Sequence, residues 1–365
     1  MQKKLLFMIK DTEIRVVHLE PTQLCQASCP MCDRNKNGGE ENQYLTNSSI
    51  SLDDFKKIFS KEFIEQLSNL YMCGNHGDPI FTPDCLDIMK YCRNINPNMS
   101  LSITTNGGAR LPEWWEELAS VVSFVNFSVD GLEDTNHLYR QGVKWSNVET
   151  NMDAFISAGG YAKWTFIVFG HNEHQVEEAE QYSKLLGVKD FIIKKSGRYV
   201  YSADMKKRET HQATNKKGQK TQNLSQPKQE KYKNKALQKD YDPIVKKHGS
   251  MEKYMEVAKI EPKCVKKKEI YVSATGEVYP CCWVNGQVYK WWRPKEQSQE
   301  YRLIQSIGGM DKINAKINPL KDIINGPFFC KIGDSWEKQG VAQGRMKICA
   351  NKCNVGFDPF KAQWQ

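Results

Sequence analysis

The chain has 365 residues, 39% of them hydrophobic and 26% charged, which is enough apolar material for a large core and excludes a disordered chain. Its net charge of +9 is concentrated, because residues 194–268 hold 22 Lys or Arg against 8 Asp or Glu while the remainder is slightly acidic. No apolar run reaches the length of a bilayer span, and the start from Met1 to Lys10 lacks the apolar core and cleavage site of a secretion signal, so a cytoplasmic protein without a membrane segment is expected.

In chain order, apolar strand-like runs alternate with amphipathic stretches, the pattern of parallel β/α units. Strands are expected at 14–19, 67–72, 101–104, 122–129, 163–169 and 190–194, with helices at 52–66, 83–94, 112–119, 148–158 and 174–186. Ser51 supplies a side-chain cap, and Asp53 and Asp54 place negative charge in the first helical turn. The fold class is therefore α/β, a partial (β/α)6 TIM-like barrel over 1–196. Residues 197–260 read as a basic, partly flexible insertion or linker. Within it, 201–234 is rich in Lys, Gln, Asn and Thr and poor in aliphatic residues, so it is expected to stay solvated and mobile. Residues 261–365 form a small α+β, cysteine-rich C-terminal domain.

Twelve cysteines are too few for a disulfide-stapled secreted chain of this length. Cys73, Cys85 and Cys92 sit in apolar contexts and read as small buried hydrophobes. Chemistry in a β/α barrel gathers on the loops after the strands, and the remaining motifs lie there. After the first strand comes Cys25-Gln26-Ala27-Ser28-Cys29-Pro30-Met31-Cys32, three soft thiolates able to wrap one face of a small metal centre. Zinc calls for a fourth close ligand, and the nearest His is His18, inside the preceding strand. Three thiolates without a fourth suit an iron–sulfur cluster with one iron open.

This C-x3-C-x2-C run resembles the signature of the radical S-adenosylmethionine (radical SAM) enzymes. The resemblance implies that Cys25, Cys29 and Cys32 hold a [4Fe-4S] cluster, that SAM occupies the fourth iron, and that reductive cleavage yields a 5'-deoxyadenosyl radical. Gly77-Asp78-Pro79 matches the end of the family's Gly-Gly-Glu-Pro motif, which meets the SAM amino group; His76 replaces its first Gly and Asp78 its Glu. Thr105-Asn106-Gly107 resembles the family's Thr-Asn-Gly turn near SAM. Ser128-Val129-Asp130-Gly131, followed by Arg140, resembles its Ser-x-Asp-Gly and the arginine that pairs with the SAM carboxylate. Asn172 is placed to face the adenosyl group, whereas His171 and His174 read as ordinary loop histidines.

Near the C-terminus, Cys264 and the run from Gly276 to Cys281 resemble the opening of a SPASM or shorter twitch extension, which implies an auxiliary [4Fe-4S] cluster. Six cysteines are present there, too few for two clusters ligated entirely by cysteine, so one cluster on Cys264, Cys281, Cys349 and Cys353 is expected, with Cys330 or Cys282 as substitutes. A structural zinc on four thiolates is the rival reading. Similar enzymes modify peptides or proteins, and that substrate class comes first. Nucleotide or RNA modification is the alternative, since the basic segment could attract phosphates. A non-catalytic, metal-stabilised binding protein is the third, although the retained SAM-facing residues speak against it. An acidic flavodoxin or ferredoxin is the expected electron donor.

Overall fold

All six expected strands form in a computed structural model that describes residues 8–200 and 205–364. They are β1 (Val16–Leu19), β2 (Asn69–Met72), β3 (Ser100–Thr105), β4 (Phe124–Ser128), β5 (Ala162–Val168) and β6 (Asp190–Lys195). They pair in parallel in that order, with Val17 opposite Leu70 and Leu70 opposite Leu101. Strands covered on both faces need continuous apolar character, and Leu70, Leu101, Val125, Phe127, Trp164 and Phe166 are all fully buried. The result is the curved, open sheet of a partial TIM-like barrel.

Helices α1 (Leu52–Ile58), α2 (Lys61–Glu65), α3 (Cys85–Ile95), α4 (Pro112–Ala119), α5 (Asn136–Tyr139), α6 (Trp145–Ser157) and α7 (Val176–Leu185) fill the connections. The single helix expected over 52–66 is two. Ser51 accepts from the Asp54 N–H at 3.0 Å, and Ser60 then accepts from the Phe63 N–H at 3.2 Å, acting as a second N-cap that restarts the helix.

The basic segment differs from the solvated chain expected of it. Its residues 201–204 lie outside the described residues, but β7 (Thr210–Thr214) and β8 (Lys220–Ser225) form an antiparallel hairpin. The hairpin buries only Ala213 and Leu224 as apolar anchors, and polar bonds add its hold on the barrel loops. Thr214 N donates to Asn37 O at 2.9 Å, Gly170 N donates to Ser225 O at 3.0 Å, and the His211 ring lies 3.0 Å from Pro30 O. Polar contacts of this kind leave no hydrophobic periodicity for a sequence reading to detect.

The expected C-terminal hairpin, β9 (Glu269–Val272) and β10 (Val278–Tyr279), joins the barrel itself. β9 pairs in parallel with β1, so the sheet order is β10-β9-β1-β2-β3-β4-β5-β6. Short helices follow, and among the described residues no helix is long and apolar enough to cross a membrane.

Candidate functional site

The three thiols of the β1 loop are buried or half-buried and lie within electrostatic reach of one another. A turn in which Cys32 N donates to Cys29 O at 3.0 Å sets the last two, and Ser28 N donates to Gln141 O at 2.8 Å to fix the loop against the segment after α5. Burial pushes the Cys25 thiol well above its ordinary range. Burial also raises Cys29, but the Arg140 guanidinium offsets part of that rise and leaves it at about 11. The sulfurs already have N–H groups aimed at them: Asn106 Nδ2 lies 3.7 Å from Cys25 Sγ, and Arg140 Nη1 lies 3.9 Å from Cys29 Sγ. Three thiols surrounded by amide and guanidinium donors fit an anionic iron–sulfur cluster, whose sulfurs accept such bonds. Among the described residues no three His, Cys, Asp or Glu side chains converge on a point suited to one metal ion. A cluster takes each thiolate at a separate iron and does not require that convergence.

Around the thiols, the expected SAM residues assemble, but several do different work from that expected. Gly77 packs so closely on the β1 loop that an added Cβ would collide with Thr22 O, so only glycine fits there. Pro79 is buried and opens the short turn that follows. Asp78 is not a free carboxylate. Its Oδ2 accepts from Asn106 N at 2.8 Å and Asn106 Nδ2 at 2.6 Å, and its Oδ1 accepts from Ile80 N at 3.3 Å. It therefore holds the Asn106 turn in place, while Thr105 Oγ1 accepts from Gly107 N at 3.1 Å, where Gly107 takes φ +72°.

Asp130 and Arg140 form an ion pair at 2.7 Å, with Asp130 fully buried. The other Asp130 oxygen accepts from Ile167 N at 2.6 Å, so this carboxylate positions Arg140 and anchors β5 rather than meeting a ligand. Arg140 Nε is likewise committed, which leaves its η nitrogens toward Cys29. The half-buried Ser128 hydroxyl has no hydrogen-bond partner among the described residues and remains available at the end of β4.

Asn172 does not face the site. It is completely buried, its Nδ2 donates to Asp130 O at 2.8 Å and Ile167 O at 2.9 Å, and its Oδ1 accepts from Phe169 N at 2.7 Å. The side chain is spent on tying the ends of β4 and β5 together. Replacing it by alanine strands three buried backbone groups, and a loss of about 2–3 kcal/mol is expected in denaturant unfolding.

Two residues that the sequence reading passed over complete the site. Gln26, between the first two thiols, donates from Nε2 to Asn106 Oδ1 at 2.8 Å and accepts from Asn106 Nδ2 at 3.3 Å. Glu20 follows β1 directly and is 1% exposed; it accepts from His76 N at 2.6 Å, Gly77 N at 3.3 Å and the Tyr271 hydroxyl. Burial works against its charge, yet the His76 and Tyr271 side chains hold its carboxyl below the usual carboxylate range. A charged residue at the C-terminal end of the first barrel strand was the available signal. His76, where the resemblance places a glycine, lies with Nδ1 3.7 Å from Glu20.

The C-terminal thiols separate into two groups. Burial raises the Cys264, Cys281 and Cys349 thiols, and neighbouring thiols of the set Cys264, Cys281, Cys349 and Cys353 raise them further, which places the four close together. Glu261 N donates to Cys353 O at 2.7 Å, which draws the Cys264 segment to Cys353. The charge beside Cys330 is Asp334 and not one of these thiols, while Cys282 feels its neighbour Cys281 first and then Glu269, Cys73 and Glu20 on the barrel side. Asn75 Nδ2 donates to Cys282 O at 2.9 Å and so ties the β2 loop to this region.

Residues 19–183 match the radical SAM superfamily. No curated protein matches the chain. The fold is similar to Streptococcus suis SuiB bound to precursor peptide SuiA, with a TM-score of 0.56 and 13% identity over 97% of this chain and 77% of that one. It is similar to the same protein bound to S-adenosylmethionine, with a TM-score of 0.55 and 14% identity over 93% of this chain and 72% of that one. A third similar structure is histidine-tagged anSMEcpe with bound AdoMet, with a TM-score of 0.54 and 14% identity over 96% of this chain and 92% of that one. At these identities the likeness is one of fold.

Proposed function

We propose that the chain, of which residues 19–183 match the radical SAM superfamily, is a radical SAM enzyme that modifies a peptide or protein by hydrogen abstraction. Cys25, Cys29 and Cys32 hold the SAM-binding [4Fe-4S] cluster in this reading, and Cys264, Cys281, Cys349 and Cys353 hold an auxiliary one. When bound and reduced, the first cluster supplies the electron that cleaves SAM. The residues around it orient and exclude: Asn106 and Arg140 direct N–H groups at the sulfurs, Asp78 and Asp130 lock those two side chains, and Ser128 offers a hydroxyl for SAM. The observation that carries the reading is this preformed ring of donors around three neighbouring thiols. The peptide class is supported by the similar fold of SuiB, bound to precursor peptide SuiA, and of anSMEcpe, bound to AdoMet and Cp18Cys peptide.

Metal analysis after anaerobic reconstitution tests the ligand assignment. About eight iron per chain are expected for the wild type and about four for Cys281→Ala. About four iron together with one zinc in the wild type would replace the auxiliary cluster by a structural metal.

A further inference from the structure

Lys194 is the next-to-last residue of β6, the free edge of the barrel sheet. β2 and β6 stand four strand spacings apart, about 19 Å along the sheet. Nevertheless Lys194 feels the fields of Cys73, just after β2, and of Asp130 and Arg140, just beyond β4. A side chain can reach both only across the interior of the curved sheet, so Lys194 points into the lumen, toward the candidate SAM residues. Its neighbour Lys195 must then point to the opposite face.

The lysine is held but not neutralised. Its ammonium lies 4.8 Å from the ring centroid of Trp364, a cation–π contact from the C-terminal segment, and no carboxylate lies within ion-pair distance among the described residues. Lys195 N donates to Gln363 O at 2.9 Å, which fixes that segment along the strand. The carboxylate nearest in field, Asp130, is already paired with Arg140. Arg198, also facing this space, donates to Met31 O at 2.8 Å and the Tyr139 hydroxyl at 3.2 Å and adds a second positive charge. Desolvation, with Arg198 adding repulsion, brings the Lys194 ammonium down to about 8.

We propose that Lys194 anchors a carboxylate of the substrate in the barrel lumen, so that the peptide taken by this enzyme carries an acidic side chain or its C-terminus beside the residue that reacts. This deepens the proposed function and rests on it. A half-buried excess of positive charge beside the partly exposed Trp364 ring favours an anion of matching size. A single ammonium suits a carboxylate better than a phosphate monoester, which carries about −1.5 to −2 charges and calls for several converging donors. Arg198 spends its Nη1 on Met31 O and the Tyr139 hydroxyl, so the donors aimed at one anion here are few.

The test follows the acetylation rate of Lys194 by peptide mass spectrometry in the full, reconstituted chain with SAM present. The probes are glutarate, neutral glutaramide, inorganic phosphate, and potassium chloride at matched ionic strength. Glutarate at about four times its Kd should slow Lys194 about fivefold by mass action, with Lys195 unchanged and glutaramide and chloride without effect. Equal protection by glutaramide or chloride, or none from glutarate, overturns the anchor. Protection by phosphate alone overturns it in favour of a phosphorylated substrate, and complete masking by SAM alone assigns Lys194 to the cofactor instead. The same preparation is assayed for dithionite-dependent 5'-deoxyadenosine. Cleavage without glutarate protection defeats only the anchor, whereas protection without cleavage defeats the proposed function.

Discussion

Cys29→Ala is expected to reduce dithionite-dependent 5'-deoxyadenosine to background and to remove about four iron per chain. Of the three loop thiols, Cys29 is the most buried and the one the Arg140 guanidinium faces at 3.9 Å. Its loss removes a ligand and leaves that guanidinium without a sulfur to face. Because Cys281 lies in a separate thiol group, Cys281→Ala should lose a similar amount of iron and still cleave SAM. Iron and product measured on both variants separate the two centres, and equal loss of cleavage in both would contradict their separate roles.

Glu20→Ala is expected to cost about 3–5 kcal/mol in denaturant unfolding, the largest stability effect of any single substitution near the site. The carboxylate is 1% exposed and accepts from two backbone N–H groups and the Tyr271 hydroxyl, joining β1, the β2 loop and β9. Alanine leaves all three donors buried without an acceptor, at about 1–3 kcal/mol each before relaxation. Glu20→Gln keeps one acceptor oxygen and should cost less. The pH dependence has a defined sign. The folded-state carboxyl sits below its usual range, so its contribution is present above the unfolded value of about 4.3 and is lost as pH falls through the lower folded value. Stability against pH should therefore show a shallower acid limb in Glu20→Gln than in the wild type. Identical limbs would show that Glu20 is not held ionised.

The barrel was legible because its strands are apolar runs separated by capped, amphipathic helices, and the cysteine loop was legible because thiol spacing is a local feature. The roles of Asp78, Asp130 and Asn172 were not, because a motif states which residue sits near a ligand and not whether its polar atoms are already used. Asp78 is consumed by Asn106, Asp130 by Arg140 and Ile167, and Asn172 by three backbone groups. The β7–β8 hairpin escaped notice because its attachment is mostly polar, with Ala213 and Leu224 its buried apolar side chains. The place of β9 beside β1 depends on pairing across about 250 residues, which no local pattern encodes. Glu20 gives a simpler lesson: a charged residue at the C-terminal end of a buried barrel strand is where the site is to be sought.

The central claim is that the thiols of the β1 loop support reductive cleavage of SAM. The most direct measurement incubates the reconstituted wild-type chain with SAM, with and without dithionite in the absence of oxygen, and quantifies 5'-deoxyadenosine and methionine. The account predicts both products in equal amounts and only with the reductant. A chain that carries its full iron complement yet forms neither product, or forms them equally without dithionite, would contradict it.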